Sequence, residues 1–229
     1  RFLFVGEHAA EKLRRSGVHT VGDLACARRE FLVSLLGKNG GDLWDMANGL
    51  DNAPVLHTGE GREVKSVGNG MTFRRNLESG EDISLAVSVL ADSTAARMRK
   101  HHVKCTTVQV TIRSPNFHTI SRQKRLPAPT SLAAEIKEAA LGLIAASWNA
   151  RAPIRMLTVT GSGIVPEDTA GEQLSLFEPA SSVEKREKQE HLETALDSIR
   201  DKFGRDALSF GSVLHNDLGI GKYGNQKHE

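Results

Sequence analysis

The chain has 229 residues, of which 39% are hydrophobic and 25% are charged, and its formal net charge is +2. These values are typical of a soluble globular protein of one or two domains, and no apolar run approaches the ~18 residues that a membrane-spanning helix requires. Two cysteines cannot form a disulfide framework, so we expect both to be reduced and the protein to be cytoplasmic.

The N-terminus begins at Arg1 and has neither an initiator methionine nor the apolar run of a signal peptide. We therefore expect a piece cut from a longer protein. Charge is unevenly distributed: residues 62–125 hold twelve Lys or Arg against five acids, a net charge of +7, so the remainder carries −5. Such a basic block indicates a module that binds a polyanion, and the alternative is a surface that is merely solvated.

Residues 1–50 predict a small, all-helical domain. A helix from His8 to Ser16 is predicted to end at Gly17, and a second helix begins after Thr20, with Asp23 completing a capping box. Apolar residues continue at helical spacing past a predicted break at Gly40-Gly41. Residues 51–64 are rich in Asp, Asn, Pro and Gly, which predicts a linker.

Residues 65–165 alternate between strand and helix patterns. The predicted strands cover 65–77, 103–113, 117–126 and 154–165, with Pro127 and Pro129 ending the third, and the predicted helices cover 82–102 and 131–149. This β-α-β-β-α-β order predicts an α+β fold, a four-stranded antiparallel sheet with both helices on one face. The second strand places Thr107, Gln109, Thr111 and Arg113 on the uncovered face, which suits a nucleic-acid backbone.

Residues 166–182 predict a flexible linker, because they are polar and contain Pro, Gly and Ser. Within it, the pentapeptide Gln173-Leu174-Ser175-Leu176-Phe177 carries three large apolar side chains, which indicates a docking peptide; the alternative is a short strand packed on the parent domain. Residues 183–229 predict a C-terminal helix and a mobile tail from His215. The helix carries a capping box at Ser181–Glu184 and an apolar stripe formed by Leu192, Ala195, Leu196, Ile199 and Phe203.

Together these features resemble the C-terminal half of the Y family of translesion DNA polymerases, of the DinB/UmuC (DNA polymerase IV) type. Val5-Gly6 and the stretch from Gly17 to Leu24 are similar to the family's helix-hairpin-helix thumb. The motifs Lys65-Ser66-Val67-Gly68, Thr72-Phe73-Arg74-Arg75 and Leu126-Pro127-Ala128-Pro129-Thr130 resemble its little-finger domain. The pentapeptide falls where such polymerases carry the peptide that binds the sliding clamp.

The resemblance implies a monomer that binds primer-template DNA without reading its sequence. In the thumb-like domain, backbone N–H groups near a helix N-terminus would bind a phosphate. The candidates there are Val5, Gly6, His8 and Ala9. In the little finger, basic and hydroxyl side chains would contact phosphates and give salt-dependent affinity. These candidates are Lys65, Ser66, Arg74, Arg75, Arg113, Arg122, Lys124 and Arg125, whereas Arg97, Arg99 and Lys100 are expected to be solvated on the helix side.

Catalytic residues are not expected in this chain. Polymerase chemistry needs clustered carboxylates that hold two divalent ions, and in the resembled family these, with Mg²⁺, lie in the palm upstream of the thumb. We find no matching carboxylate pair, so the chain alone is expected to be inactive and to bind no cofactor. His101, His102 and Cys105 lack a nearby fourth ligand, so no metal site is predicted.

Two other functions compete with this interpretation. The first is a natural non-enzymatic adaptor that binds DNA and recruits partners to the sliding clamp. The second is a split βαβ module that binds single-stranded RNA, which would stack bases on exposed aromatic residues of the sheet. The second strand offers Thr107, Gln109 and Thr111 at those positions, which argues against RNA.

Overall fold

A computed structural model describes residues 4–52, 54–55, 57, 63–149, 151–169, 180–204, 207–214 and 216–220, without the side chains of 169 and 180–183. The chain divides into two compact units, Arg1–Arg62 and Glu63–Glu229. Each unit has its own hydrophobic core cluster.

The described residues of the first unit form four helices. They are α1 (Glu7–Arg15), α2 (Val21–Cys26), α3 (Arg29–Leu36) and α4 (Lys38–Ala47). Their core contains Leu13, Leu24, Leu32 and Leu43. The predicted break at Gly40-Gly41 is wrong, because α4 runs through both glycines and the chain turns at Gly37, whose φ is +67°. Gly40 instead permits close packing of α4 on α3, since a Cβ there would lie 2.0 Å from the Leu32 carbonyl oxygen.

The second unit contains the sheet. Its elements are β1 (Ser66–Leu77), α5 (Gly80–Lys100), β2 (Val103–Arg113), β3 (Thr119–Thr130), α6 (Ala133–Ser147), β4 (Ile154–Pro166) and α7 (Ala180–Phe203). The strand order is β1-β4-β2-β3, and every neighbouring pair is antiparallel. The predicted α+β class is therefore confirmed.

Helices α5 and α6 cover the same core. Ser79 and Asp82 cap α5 with a capping box, and the helix buries Leu90 and Met98. Helix α6 buries Ile136 in the same cluster, which also contains Ile112 of β2. The helices thus lie on the sheet surface to which the apolar residues of the strands point.

Strand β3 is longer than predicted, because it continues through Pro127 and Pro129 to Thr130. It is an edge strand, and an edge strand tolerates proline because its outward N–H groups need no ladder partner. The register also shifts there: Arg125 and Thr130 of β3 pair with Thr107 and Cys105 of β2, so the segment between them bulges from the ladder.

The C-terminal region differs from the prediction at two points. Helix α7 already begins at Ala180, so its start precedes Ser181, where the capping box was predicted to begin the helix. The C-terminal segment, by which we mean the described residues 207–214 and 216–220, packs on the domain. The Arg74 backbone N–H donates to the Leu218 carbonyl at 3.0 Å, and Leu218 and Ile220 are buried in the main core, so these residues are not a mobile tail.

Candidate nucleic-acid interface

The register of the sheet arranges sixteen residues in four rows on the surface opposite α5 and α6. We call this surface the open face. Its rows are Ser66, Ser162, Thr107 and Arg125; Gly68, Thr160, Gln109 and Gln123; Gly70, Thr158, Thr111 and Ser121; and Thr72, Met156, Arg113 and Thr119. Nine of the sixteen are Ser or Thr, two are Arg, and none is acidic or aromatic. This surface donates hydrogen bonds and repels no phosphate.

Two glycines flatten the β1 side of the open face. Gly68 pairs with Thr160 and Gly70 with Thr158. A Cβ on either glycine would lie 2.5 or 2.3 Å from the hydroxyl oxygen of its threonine partner, which is too close for any real side chain. The glycines therefore leave the threonine hydroxyls uncovered, so that a nucleic-acid backbone could approach the sheet closely.

Hydrogen bonds orient side chains at the β2–β3 side of the open face. The Gln109 amide donates to the Ser121 hydroxyl at 2.7 Å, and Arg113 Nε donates to the Thr119 hydroxyl at 3.0 Å. Within the described residues, neither Arg113 nor Arg125 forms an ion pair with a carboxylate. Both charges remain available to an anion.

The strands separate the basic residues predicted for this interface. Ser66, Arg113 and Arg125 lie on the open face, and Lys65 lies exposed just before β1. Arg122 and Lys124 pair with Val110 and Val108, whose side chains are buried under the helices. Because side chains alternate along a strand, Arg122 and Lys124 project from the opposite surface of β3.

Arg74 and Arg75 lie beyond the register shift of β1. Arg75 forms ion pairs with Asp82 at 2.7 Å and with Asp217 at 2.6 Å, so its charge joins α5 to the C-terminal segment. These hydrogen bonds raise the pKa of Arg75 and lower that of Asp82 to about 2. Arg74 lies beside Gly219, where an added Cβ would come within 2.8 Å of its side chain.

The candidates in the first unit lie around the start of α1. Gly6 is the N-cap and no side chain caps this end, whereas Thr20 and Asp23 cap α2 reciprocally. His8 and Ala9 occupy the first turn of α1, whose N–H groups lack helical carbonyl partners. Val5 and Gly6 line a cavity of about 430 Å³ that also includes Thr20. Glu7, an acid in the same turn, opposes an incoming phosphate.

The expectation that Arg99 is solvated is wrong. Its side chain is 12% exposed and binds Asp197 at 2.6 Å and also Glu193, both on α7. A third hydrogen bond runs from its Nη1 to the Ser131 carbonyl at 2.8 Å. Arg97 is also partly buried and donates to the Gly68 carbonyl at 2.9 Å, whereas Lys100 is exposed.

The pentapeptide Gln173 to Phe177 lies outside the described residues. The described chain before it ends with β4 and a short 3₁₀ helix, Glu167–Thr169, and resumes with α7. In the described part, no group of three or more His, Cys, Asp or Glu side chains is placed to hold a metal ion. No described helix is long and apolar enough to cross a membrane.

Sequence reasoning missed the β4 part of the open face. Thr158, Thr160 and Ser162 lie between the β1 glycines and the β2 hydroxyls. The alternation of Thr158 and Thr160 with Leu157 and Val159 was a usable signal for their direction. Their neighbours depend on the strand order, which the alternation alone does not determine.

Comparison with known proteins gives consistent matches over most of the chain. Residues 64–176 match the impB/mucB/samB family C-terminal domain. The chain is 38% identical over 220 residues to DNA polymerase IV of Acetivibrio thermocellus, covering 96% of this chain and 54% of that protein. It is 34% identical over 216 residues to DNA polymerase IV of Clostridium kluyveri, covering 92% of this chain and 52% of that protein. It is 33% identical over 210 residues to DNA polymerase IV 1 of Bacillus subtilis, covering 92% of this chain and 49% of that protein. The chain spans about half the length of the curated relatives it matches.

Proposed function

Since this chain belongs to the Y family of the DinB/UmuC (DNA polymerase IV) type, we propose that it holds primer-template DNA for a translesion DNA polymerase and tethers that polymerase to the sliding clamp. The open face supports the first role. It offers nine hydroxyl side chains, two amides and two arginines without a carboxylate. Such a surface binds phosphates and sugars without reading base sequence.

The α1 N-terminus is proposed as a second phosphate contact. Its first-turn N–H groups have no side-chain cap, and aligned N–H groups at a helix start attract an anion. Binding through Gly6, His8 and Ala9 would use the backbone only, so it would add affinity without sequence preference. Glu7 limits this contribution by its charge.

The DNA-binding role is tested by the salt dependence of affinity for a fluorescent primer-template duplex. We expect log affinity to fall linearly with log salt, with a similar slope for unrelated sequences. Arg125→Ala is expected to weaken binding about threefold to tenfold and to reduce the steepness of the slope by about 1, because one phosphate contact is lost.

Lys124→Ala is the matched control for that variant. Lys124 adjoins Arg125 and carries the same charge, but it projects from the opposite surface of β3. We expect its affinity to stay within about twofold of the unmodified chain, because only long-range attraction changes. An affinity that does not depend on salt, or equal losses for both variants, would contradict the proposed interface.

The clamp-binding role is proposed for Gln173 to Phe177. Its sequence resembles the clamp peptide, and it lies between β4 and α7, which both belong to the second unit. We propose that Leu176 and Phe177 are the anchors that enter a pocket of the clamp, as large apolar residues do at interface hot spots.

Surface plasmon resonance on an immobilised bacterial sliding clamp tests this role. We expect the Leu176→Ala/Phe177→Ala chain to lose at least a hundredfold in affinity, while its affinity for DNA is unchanged. Replacing the exposed Val55 and Leu50 by Ala removes two apolar side chains elsewhere and is expected to change neither affinity. Clamp binding that survives loss of both anchors refutes the docking role.

A further inference from the structure

A cavity of about 930 Å³ lies between α5, α7 and the C-terminal segment. Because α5 packs on the helix side of the sheet, this cavity is separate from the open face. Its volume falls at the upper end of the range for small-molecule sites, roughly 300–1,000 Å³. Serine and threonine hydroxyls line it on both helices, at Ser93, Thr194 and Ser198.

The lining carries an excess of positive charge. Arg99 is paired with Asp197 at 2.6 Å, and Arg200 is paired with Asp92 at 2.9 Å. Three further cations, Arg74, Arg97 and Lys100, also line the cavity and bind no carboxylate among the described residues. The lining contains three carboxylates, and among the described residues only Asp201 has no cationic partner. The cavity therefore favours an anion.

Two of these cations share one face of α5. Ser93, Arg97 and Lys100 follow each other at spacings of four and three residues on α5, so their side chains share one helix face. Arg97 uses Nη1 to hold the Gly68 carbonyl at 2.9 Å, which fixes the guanidinium and leaves its other N–H donors. A row of donors of this kind matches several adjacent anionic groups better than a single carboxylate.

Part of the lining is apolar and includes an aromatic ring. The C-terminal segment contributes Phe210, which is 41% exposed, and Leu214, which is 66% exposed, although its neighbour Val213 enters the core. Exposed large apolar side chains beside a charged cavity suit a ligand with a flat apolar part. An aromatic ring stacks on any nucleobase.

From these features we propose that the cavity binds a nucleoside polyphosphate. Its phosphates contact Arg97, Lys100 and Arg74, and its base packs on Phe210. The site is distinct from the DNA-holding surface and does not depend on it.

The test is a fluorescence-anisotropy titration of the 229-residue chain with N-methylanthraniloyl-ATP in 0.15 M salt. At this ionic strength the Debye length is ~8 Å, so attraction between distant surface charges is largely screened. Unlabelled ATP is expected to displace the probe, while adenosine and inorganic triphosphate are each at least ~10-fold weaker competitors, because each lacks one half of the contacts. Equal competition by triphosphate, or no saturable binding, overturns the proposal. Displacement by a saturating DNA duplex also overturns it, since binding would then belong to the open face.

Two variants locate the site. Lys100→Ala and Phe210→Ala alter exposed side chains of the lining and are each expected to weaken probe binding at least ~5-fold, from loss of one charged or one stacking contact. Their controls, Lys185→Ala and Leu192→Ala, alter exposed residues of α7 that do not line the cavity. Both controls should bind the probe normally, and all four proteins should bind DNA as the unmodified chain does. Equal losses in variants and controls overturn the assignment.

Discussion

The guanidinium of Arg75 lies between two carboxylates that come from distant parts of the chain. Asp82 is in the first turn of α5, and Asp217 belongs to the C-terminal segment. Asp82 also accepts hydrogen bonds from the backbone N–H groups of Glu78 and Ser79, so one carboxylate caps the helix and holds the arginine. Arg75 is thus a structural link, which reduces its availability for phosphate compared with Arg113 or Arg125.

This arrangement makes the stability of the fold depend on pH at low pH. The hydrogen bond from Arg75 lowers the pKa of Asp82 from 3.8 to about 2. A carboxyl with a depressed pKa stabilises the fold above its unfolded pKa, and this stabilisation is lost as pH falls through the folded value. Asp82→Asn is therefore expected to lower Tm at pH 7, and the gap to the unmodified chain should narrow between pH 4 and pH 2.

Differential scanning calorimetry at several pH values measures this gap. Glu81→Gln is the matched control, because Glu81 lies in the same helical turn but is exposed and forms no hydrogen bond among the described contacts. Its effect at pH 7 is expected to be smaller than that of Asp82→Asn. A gap for Asp82→Asn that stays constant down to pH 2 would show that Arg75 does not hold this carboxylate ionised.

At the scale of single residues, the alternation of side chains along a regular strand predicted which surface of the sheet each side chain faces. Thr107, Gln109, Thr111 and Arg113 lie on the open face as predicted. The same rule places Arg122 and Lys124 on the opposite surface of β3 from Arg125. The sequence analysis proposed all three as phosphate contacts because all three are basic. The ion pairs of Arg75 could not be predicted from alternation, because they depend on where α5 and residue 217 pack against β1.

Helix α7 packs on the domain through polar residues. Glu193 is 4% exposed, binds Arg99 of α5 and accepts the backbone N–H of Ala133 at 3.1 Å. Helix α6 has no side-chain cap of its own, since its N-cap is Leu132, so α7 supplies a carboxylate to the start of α6. A carboxylate at this end also interacts favourably with the helix dipole.

Four of the five residues in the apolar stripe predicted on α7 are exposed, and the fifth, Leu196, is half-buried. Leu192 is 53% exposed, Ile199 is 40% exposed and Phe203 is 66% exposed. Hydrophobic periodicity predicted that α7 is a helix, which the structure confirms, but it left open whether the apolar stripe packs on the domain, and in the structure charged residues of α7 make these contacts instead. The reason is that α5 and α6 present Asp92, Arg99 and Glu135 to α7, and these groups select charged partners.

Two neighbouring residues of α7 test this inverted packing. Glu193→Ala leaves the Arg99 guanidinium buried with one partner fewer and is expected to destabilise the second unit by ~3 kcal/mol. Leu192→Ala removes a larger apolar side chain that is half exposed, and is expected to cost less than ~0.5 kcal/mol. Urea unfolding followed by far-UV circular dichroism measures both. If Leu192→Ala costs more than Glu193→Ala, α7 packs through its apolar stripe instead.

At the scale of the whole molecule, the division into two units follows from two separate apolar clusters. Leu32 and Leu43 lie in the first cluster, whereas Ile112 and Leu157 lie in the second. The predicted element order led to the α+β class, because β-α-β-β-α-β permits few sheet topologies. The docking of residues 216–220 on β1 could not be predicted, since that short segment has no helical or alternating pattern.

Two separate cores predict two unfolding transitions. Leu43 is fully buried in the first unit and Ile112 is 1% exposed in the second. Replacing either by Ala is expected to cost ~2–5 kcal/mol, because a buried side chain is lost and a cavity remains. Leu43→Ala should therefore lower the midpoint of one transition and Ile112→Ala that of the other.

The two tryptophans report on these transitions separately, because the first unit contains Trp44 and the second contains Trp148. Each is held locally, Trp44 by the Ala27 carbonyl at 2.8 Å and Trp148 by the Ala152 carbonyl at 2.9 Å. In a Trp148→Phe background, fluorescence should follow only the unit that contains Leu43, and in a Trp44→Phe background only the unit that contains Ile112. If both reporters respond equally to Leu43→Ala, the units unfold as one cooperative body, because a substitution in one core then destabilises the other.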